Sequence, residues 1–128
     1  MTNDSSPTTS LAIPMDPAAV FDAISNSRRR RTILSLSRTI GEHTVGDLSV
    51  EIAAIENEID PSEVRCNDRT SVYISLIQRH LEKLDECGAI EYDERSKTVA
   101  PTGATEALAE YIRRLQTACY KPDPEGDS

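Results

Sequence analysis

The stretch from Ser75 to Asp93, SLIQRHLEKLDECGAIEYD, changes its apolar period from that of a helix to that of a strand. Tyr73, Ile77, Leu81 and Leu84 recur at helical spacing, so one helix is predicted from about Arg69 to Cys87. Asn67 or Asp68 is placed to cap it, and Gly88 to end it. On a helical wheel Tyr73, Ile77, Leu81 and Leu84 form the inward face, flanked by Thr70, Ile74 and His80. Val72, Ser75, Arg79, Glu82 and Glu86 fall opposite, with Ser71, Gln78 and Lys83 at the margins. After Gly88 the run Ala89 to Asp93 alternates apolar and polar, as a half-buried strand does. Thr98 to Ala100 is a second short strand, and the polar link Glu94 to Lys97 makes the pair a β-hairpin.

Working outward, Thr102 is placed to cap a last helix, Gly103 to Ala118. Ala104, Leu108, Tyr111 and Leu115 step along it at heptad-like spacing, which suits packing against the same helix of a second copy. Upstream, Asp16-Pro17 starts a short helix in which Val20, Phe21 and Ile24 share a face, with Phe21 as a core anchor. A second helix spans about Arg28 to Thr39, with Ile33, Leu34, Leu36 and Ile40 inward and Gly41 beyond it. Thr44-Val45 is a short strand. A third helix follows, with Leu48, Ile52, Ala53, Ile55 and Ile59 apolar, and Asp60-Pro61 stops it. Asp60 to Asp68 is a loop.

The 128 residues carry 22 acidic and 14 basic side chains, a formal net charge of −8. Eleven of the basic residues are Arg and three are Lys. This balance is that of a protein kept soluble in molar salt, where charges are screened within about 3 Å. Residues 1–15 and 121–128 are polar and too poor in apolar side chains to order themselves. They are read as disordered tails around a domain at 16–101 and a C-terminal helix at 102–120. No apolar run approaches the roughly 18 residues of a membrane span, and no basic-then-apolar leader opens the chain. A cytoplasmic protein is expected. Cys66, Cys87 and Cys119 are far apart, lack the spacing of a zinc site, and are read as reduced and at least partly buried. No metal or cofactor is expected. Without a nucleophile elbow, a triad or a Gly-rich phosphate loop, the chain is read as a non-enzyme.

Three helices, a fourth, a hairpin and a closing helix make a mainly α fold with a small β-hairpin. That is the order of a winged helix-turn-helix with a C-terminal helix. The run Ser75 to Asp93 resembles the recognition-helix-to-wing segment of ArsR-like regulators, through His80, Leu81, Lys83, Leu84, Gly88, Ile90 and Glu91. The segments FDAISNSRRRRTILSLS, RTSVYISLIQRHLEKLDECGAIEYD and PTG resemble an uncharacterised haloarchaeal winged-helix family, from about Val20 to Val99. The resemblance implies the fold and double-stranded DNA binding, without a target. The Cys-x-Cys metal sensor of ArsR-like metalloregulators is missing, and the loop before the fourth helix is longer than in simple helix-turn-helix units.

The candidate DNA ligands follow from position and chemistry. Arg28 and Arg31 belong to a run of four arginines at a helix start, where the macrodipole disfavours cations. They either contact phosphate or pair with Asp22, Glu42 or the acidic third helix. Arg69, Ser71, Ser75, Gln78, Arg79 and Lys83 lie on the fourth helix, and Arg95 and Lys97 on the wing. Guanidinium, amide and hydroxyl groups at helical spacing reach base edges or phosphates. The acidic Glu91, Asp93 and Glu94 argue against a wing gripping DNA tightly. Two functions stay open: a dimeric, sequence-specific transcriptional regulator, or a winged module that binds a basic protein partner.

Overall fold

Short polar side chains standing just ahead of apolar runs start most of the helices. This is seen in a computed structural model, which describes residues 11–120. Asp16 accepts from Ala18 N–H at 3.0 Å and starts α1 (Pro17–Ile24). Asn26 accepts from Arg28 and Arg29 N–H and starts α2 (Ser27–Arg38). Strand β1 (His43–Thr44) runs into α3 (Val45–Asn57), where Thr44 Oγ1 accepts from Asp47 N–H. A single 3-10 turn, Pro61–Glu63, leads to α4 (Cys66–Ser75), a π turn (Leu76–His80) and α5 (Leu81–Glu86), one continuous rod. Strands β2 (Ile90–Asp93) and β3 (Thr98–Pro101) follow, then α6 (Gly103–Ala118). The fold is mainly α with a three-stranded antiparallel sheet in the order β1-β3-β2, a winged helix-turn-helix closed by a C-terminal helix.

The core lies where α2, α3, the rod, the sheet and α6 meet. Ile33, Leu36, Leu48, Ile52, Leu76, Leu81, Leu84, Ile90, Val99, Leu108 and Ile112 are buried together. Gly88, at φ 86°, closes α5: Ala89 N–H donates to Leu84 O and Gly88 N–H to Asp85 O. The same double bond closes α3 at Glu58, which holds the left-handed conformation without being glycine. The hydroxyls of Thr102 and Thr105 donate to the carbonyls of Gly88 and Ala89. They tie the start of α6 to the root of the wing, so the last helix shares the domain's core rather than forming a separate element.

Several expectations are corrected. Phe21 is 60% exposed, because Val20, Ala23 and Ile24 take the single inward stripe of an eight-residue helix. Ile40 is fully exposed, since α2 ends at Arg38 and Thr39 turns extended. Helix α3 ends at Asn57, four residues before Pro61. The rod starts at Cys66, so Asn67 and Asp68 sit inside its first turn and do not cap it. Residues 11–15 are no free tail, since Ile13 and Met15 pack against the core; residues 1–10 and 121–128 lie outside the described residues. Cys66 and Cys119 are exposed and only Cys87 is half-buried. Ala104 and Leu108 are buried in the chain's own core, where α6 crosses α2, and are not available to a dimer seam.

The largest correction concerns the rod. Its first half buries Val72 and Leu76, while Tyr73 and Ile77 are half-buried and Ile74 is exposed. Its second half buries Leu81 and Leu84, as the wheel requires. The π turn explains the difference. Leu81 N–H donates to Leu76 O, five residues back, so one extra residue is wound into the rod. Everything upstream shifts by one position relative to a uniform helix, and the inward stripe moves from Tyr73 and Ile77 to Val72 and Leu76.

This register is testable by unfolding in urea. Leu76→Ala should lose about 2–5 kcal/mol, the usual range for emptying a core leucine site. Ile74→Ala should lose less than about 0.5 kcal/mol, as for an exposed position. A uniform helix would bury Ile74's side of the rod instead and reverse that ranking.

Candidate nucleic-acid interface

The rod packs on α3 and β2 and leaves its other face to solvent. Asn67, Thr70, Ser71, Ile74, Gln78 and Arg79 are exposed along it, Ser75 and Arg69 half-buried. Glu82 and Glu86 continue the exposed surface beyond the π turn. Ser71, Ser75, Gln78, Arg79 and Arg69 are therefore brought to one element with access to solvent. Arg65, which the sequence reading passed over, stands exposed at the N-cap. Among the described residues no side chain caps the first N–H groups of the rod.

Most arginines elsewhere are spent on acids. Arg28 makes a bidentate pair with Glu56, Nε to Oε2 at 2.6 Å and the second nitrogen to Oε1 at 2.8 Å. The Glu56 carboxylate raises its pKa through that hydrogen bond. Arg28 is thus paired with the acidic third helix, the second of the two alternatives its sequence position left open. Arg30 donates to the Ile24 carbonyl and Arg38 to Glu51. Lys83 faces Asp22 at 3.3 Å, and Lys97 donates to the Glu94 carbonyl inside the wing turn. Both are partly engaged by the protein itself. Among the described residues, Arg31, Arg65, Arg69, Arg79 and Arg95 have side chains with no hydrogen-bonded or ion-paired partner. Arg65, Arg69 and Arg79 lie on or beside the rod, Arg95 at the wing tip.

Arg29, not singled out by the sequence reading, is buried. Its guanidinium donates twice to the Asp22 carbonyl, at 3.1 and 2.8 Å, once to Ser25 Oγ, and once to His80 Nδ1 at 3.0 Å. The spacing carried a signal, since Arg29, Ile33 and Leu36 stand at i, i+4 and i+7 on one helix face. Arginine has no acceptor, so His80 Nδ1 must accept and the ring proton sits on Nε2. Burial, then the charges of Arg29, Arg79, Arg28 and Lys83, push the His80 pKa down to about 4. The ring is neutral at ordinary pH, as the pair requires.

The wing turns through Asp93, whose carboxylate accepts from Arg95 and Ser96 N–H, with Lys97 left-handed at φ 57°. Tyr92 Oη is buried with no partner among the described residues, and burial raises its pKa. A shallow hollow on the outer side of the sheet is lined by Glu42, Asp85, Glu91, Asp93 and Glu94. The wing is acidic except at Arg95 and Lys97.

A supported outward helix beside a hairpin defines a winged helix-turn-helix protein. Residues 21–100 match the family described as "Domain of unknown function (DUF7344)", and the chain belongs to that family. The match runs from α1 to the end of the hairpin and leaves α6 outside it. No curated protein and no solved structure matches the chain.

The His80 environment predicts a pH dependence. The folded-state pKa is lowered below the unfolded value near 6.5, so between these values the unfolded chain binds the proton that the folded one refuses. Stability is fully present above about pH 6.5 and falls as the pH drops toward 4. Urea midpoints at pH 7 and 4.5 should show wild type losing on the order of 2 kcal/mol more than His80→Gln. Equal losses in the two proteins would place the titration elsewhere.

Proposed function

We propose that the protein is a sequence-specific double-stranded DNA-binding protein, a transcriptional regulator that reads the major groove with the rod Cys66–Glu86. The observation that carries this reading is the distribution of unpaired charge. On a chain of net charge −8, four of the five guanidinium groups without a partner among the described residues, those of Arg65, Arg69, Arg79 and Arg95, lie on or beside the rod or at the wing tip; the fifth, Arg31, lies on α2. The uncapped start of the rod leaves its first N–H groups open to phosphate oxygens, flanked by Arg65 and Arg69. Ser71, Gln78 and Arg79 offer donors at helical spacing that suit base edges. The scarcity of lysine and the acidic surface support a cytoplasmic protein of a salt-adapted archaeon. There counterion release adds little affinity, and specific contacts must supply more of it. No catalytic role is proposed.

One observation favours a second reading. The acidic hollow of the wing would meet a basic protein partner better than it would meet phosphate. Titration of fluorescent duplexes, selected from a randomised pool in molar KCl, separates the two. Arg79→Ala should bind at least about tenfold more weakly, the usual worth of a base or phosphate contact. Arg28→Ala should stay within about twofold, because Glu56 already holds that guanidinium. Unchanged affinity in Arg79→Ala, or no duplex retained by wild type, would leave the partner-protein reading in possession.

A homodimer would set two rods on half-sites about one helical turn apart, roughly 34 Å. Its seam would use the outward side of α6, where Tyr111 and Leu115 are half-buried, with Phe21 of α1 beside Tyr111. Leu115→Glu should convert a dimer to a monomer in sedimentation at several concentrations, with circular dichroism checking that the variant stays folded. A wild type that sediments as a monomer throughout would remove the palindromic site.

A further inference from the structure

Ile74 is 47% exposed at the middle of the rod's outward face. Ser71 precedes it by one turn and Gln78 follows it by one turn, both exposed. Phe21, Ile40 and Tyr120, the other exposed large apolar residues described, lie off the rod. A β-branched side chain is a weaker helix former than the alanine or glutamine such a surface tolerates. At Ile74 little burial compensates for this. The exposure follows from the π turn: in a uniform helix Ile74 would stand one position nearer the inward stripe, seven residues before the buried Leu81. An apolar side chain is thus turned to solvent beside the exposed polar Thr70, Ser71 and Gln78.

That pattern matches one partner chemistry closely. In the major groove, thymine offers a 5-methyl group beside the O4 acceptor, and adenine offers N7 and the N6 amino group. An isoleucine packs on the methyl, and a glutamine one turn along spans N6 and N7 of an adenine. A protein hot spot would instead need surrounding apolar contacts that exclude water. Here the exposed helical neighbours are Thr70, Ser71 and Gln78, and the one apolar neighbour, Ile77, is packed against the core. We propose that Ile74 is a specificity-determining residue that packs on the 5-methyl group of a thymine, with Gln78 reading adenine next to it. This rests on the DNA-binding reading and gives the site an A·T-containing target.

The test removes the methyl group alone. A duplex selected from a randomised pool in molar KCl is remade with each thymine replaced singly by deoxyuridine. Each version is titrated with wild type, Ile74→Ala and Ile74→Val. One replacement should weaken wild type about fourfold, the worth of one buried methyl group. The same replacement should leave Ile74→Ala unchanged, because the methyl has already lost its partner, and Ile74→Val should retain part of the discrimination. If the selected duplex binds but every replacement weakens wild type and Ile74→Ala equally, Ile74 reads no thymine, although DNA binding stands. If wild type retains no duplex from the pool, the DNA-binding reading fails and this inference fails with it.

Discussion

Arg29 and His80 meet at 3.0 Å in the interior, and the orientation of the rod's outer surface goes with that contact. A buried guanidinium must have its donors satisfied, because an unpaired buried charge is costly. Asp22, Ser25 and His80 supply the acceptors, and a neutral imidazole is the one side chain among them offered by the rod. His80 turns inward at the end of the π turn, next to Leu81, which is also buried. Winding one extra residue between Leu76 and Leu81 lets the two halves of the rod each bury their own pair, Val72 with Leu76 and Leu81 with Leu84. The same extra residue turns Ile74 outward.

The second constraint is the disposal of charge. Acids outnumber bases, and the fold uses them locally: Glu56 holds Arg28, Glu51 holds Arg38, Glu110 faces Arg113 and Arg114 along α6. Most of these pairs are exposed and contribute little to stability, all the less in salt. Their consequence is selective. They neutralise Arg28 and Arg38 of α2 and Arg113 and Arg114 of α6, while among the described residues Arg31 of α2 and the arginines of the rod and the wing tip have no side-chain partner. An acidic protein thereby keeps three of these five free guanidinium groups on or beside one element, the rod.

The wing and α6 depend on each other through Thr102 and Thr105. Their hydroxyls donate to the last carbonyls before β2, while Thr102 caps α6 and its own N–H donates to Thr105. Val99 lies buried in the central strand, flanked by His43 of β1 and Tyr92 of β2. The hairpin is therefore set at a defined angle to the rod, although its strands are only four residues long.

The element order was legible in the chain because local chemistry and period suffice for it. Asp16-Pro17 and Thr102 announce helix starts by the hydrogen bonds their oxygens can accept, and Gly88 announces a stop by its tolerance of positive φ; the cap made by Thr44, read as part of a strand, was not legible. The switch of period around Gly88 announces the hairpin. The candidate site was legible in outline, as polar residues of a helix that must have an outer face. Which of them are free was not, because pairing joins residues far apart in sequence, as Arg28 with Glu56. Nor was the phase of the rod's first half. A wheel assumes 3.6 residues per turn throughout, and a π turn violates that where a buried partner makes it worthwhile. The sequence by itself therefore determined the elements and their order, through interactions spanning a few residues. Only the tertiary structure decided which face of the rod looks outward and which arginines remain unpaired, because both depend on contacts between helices.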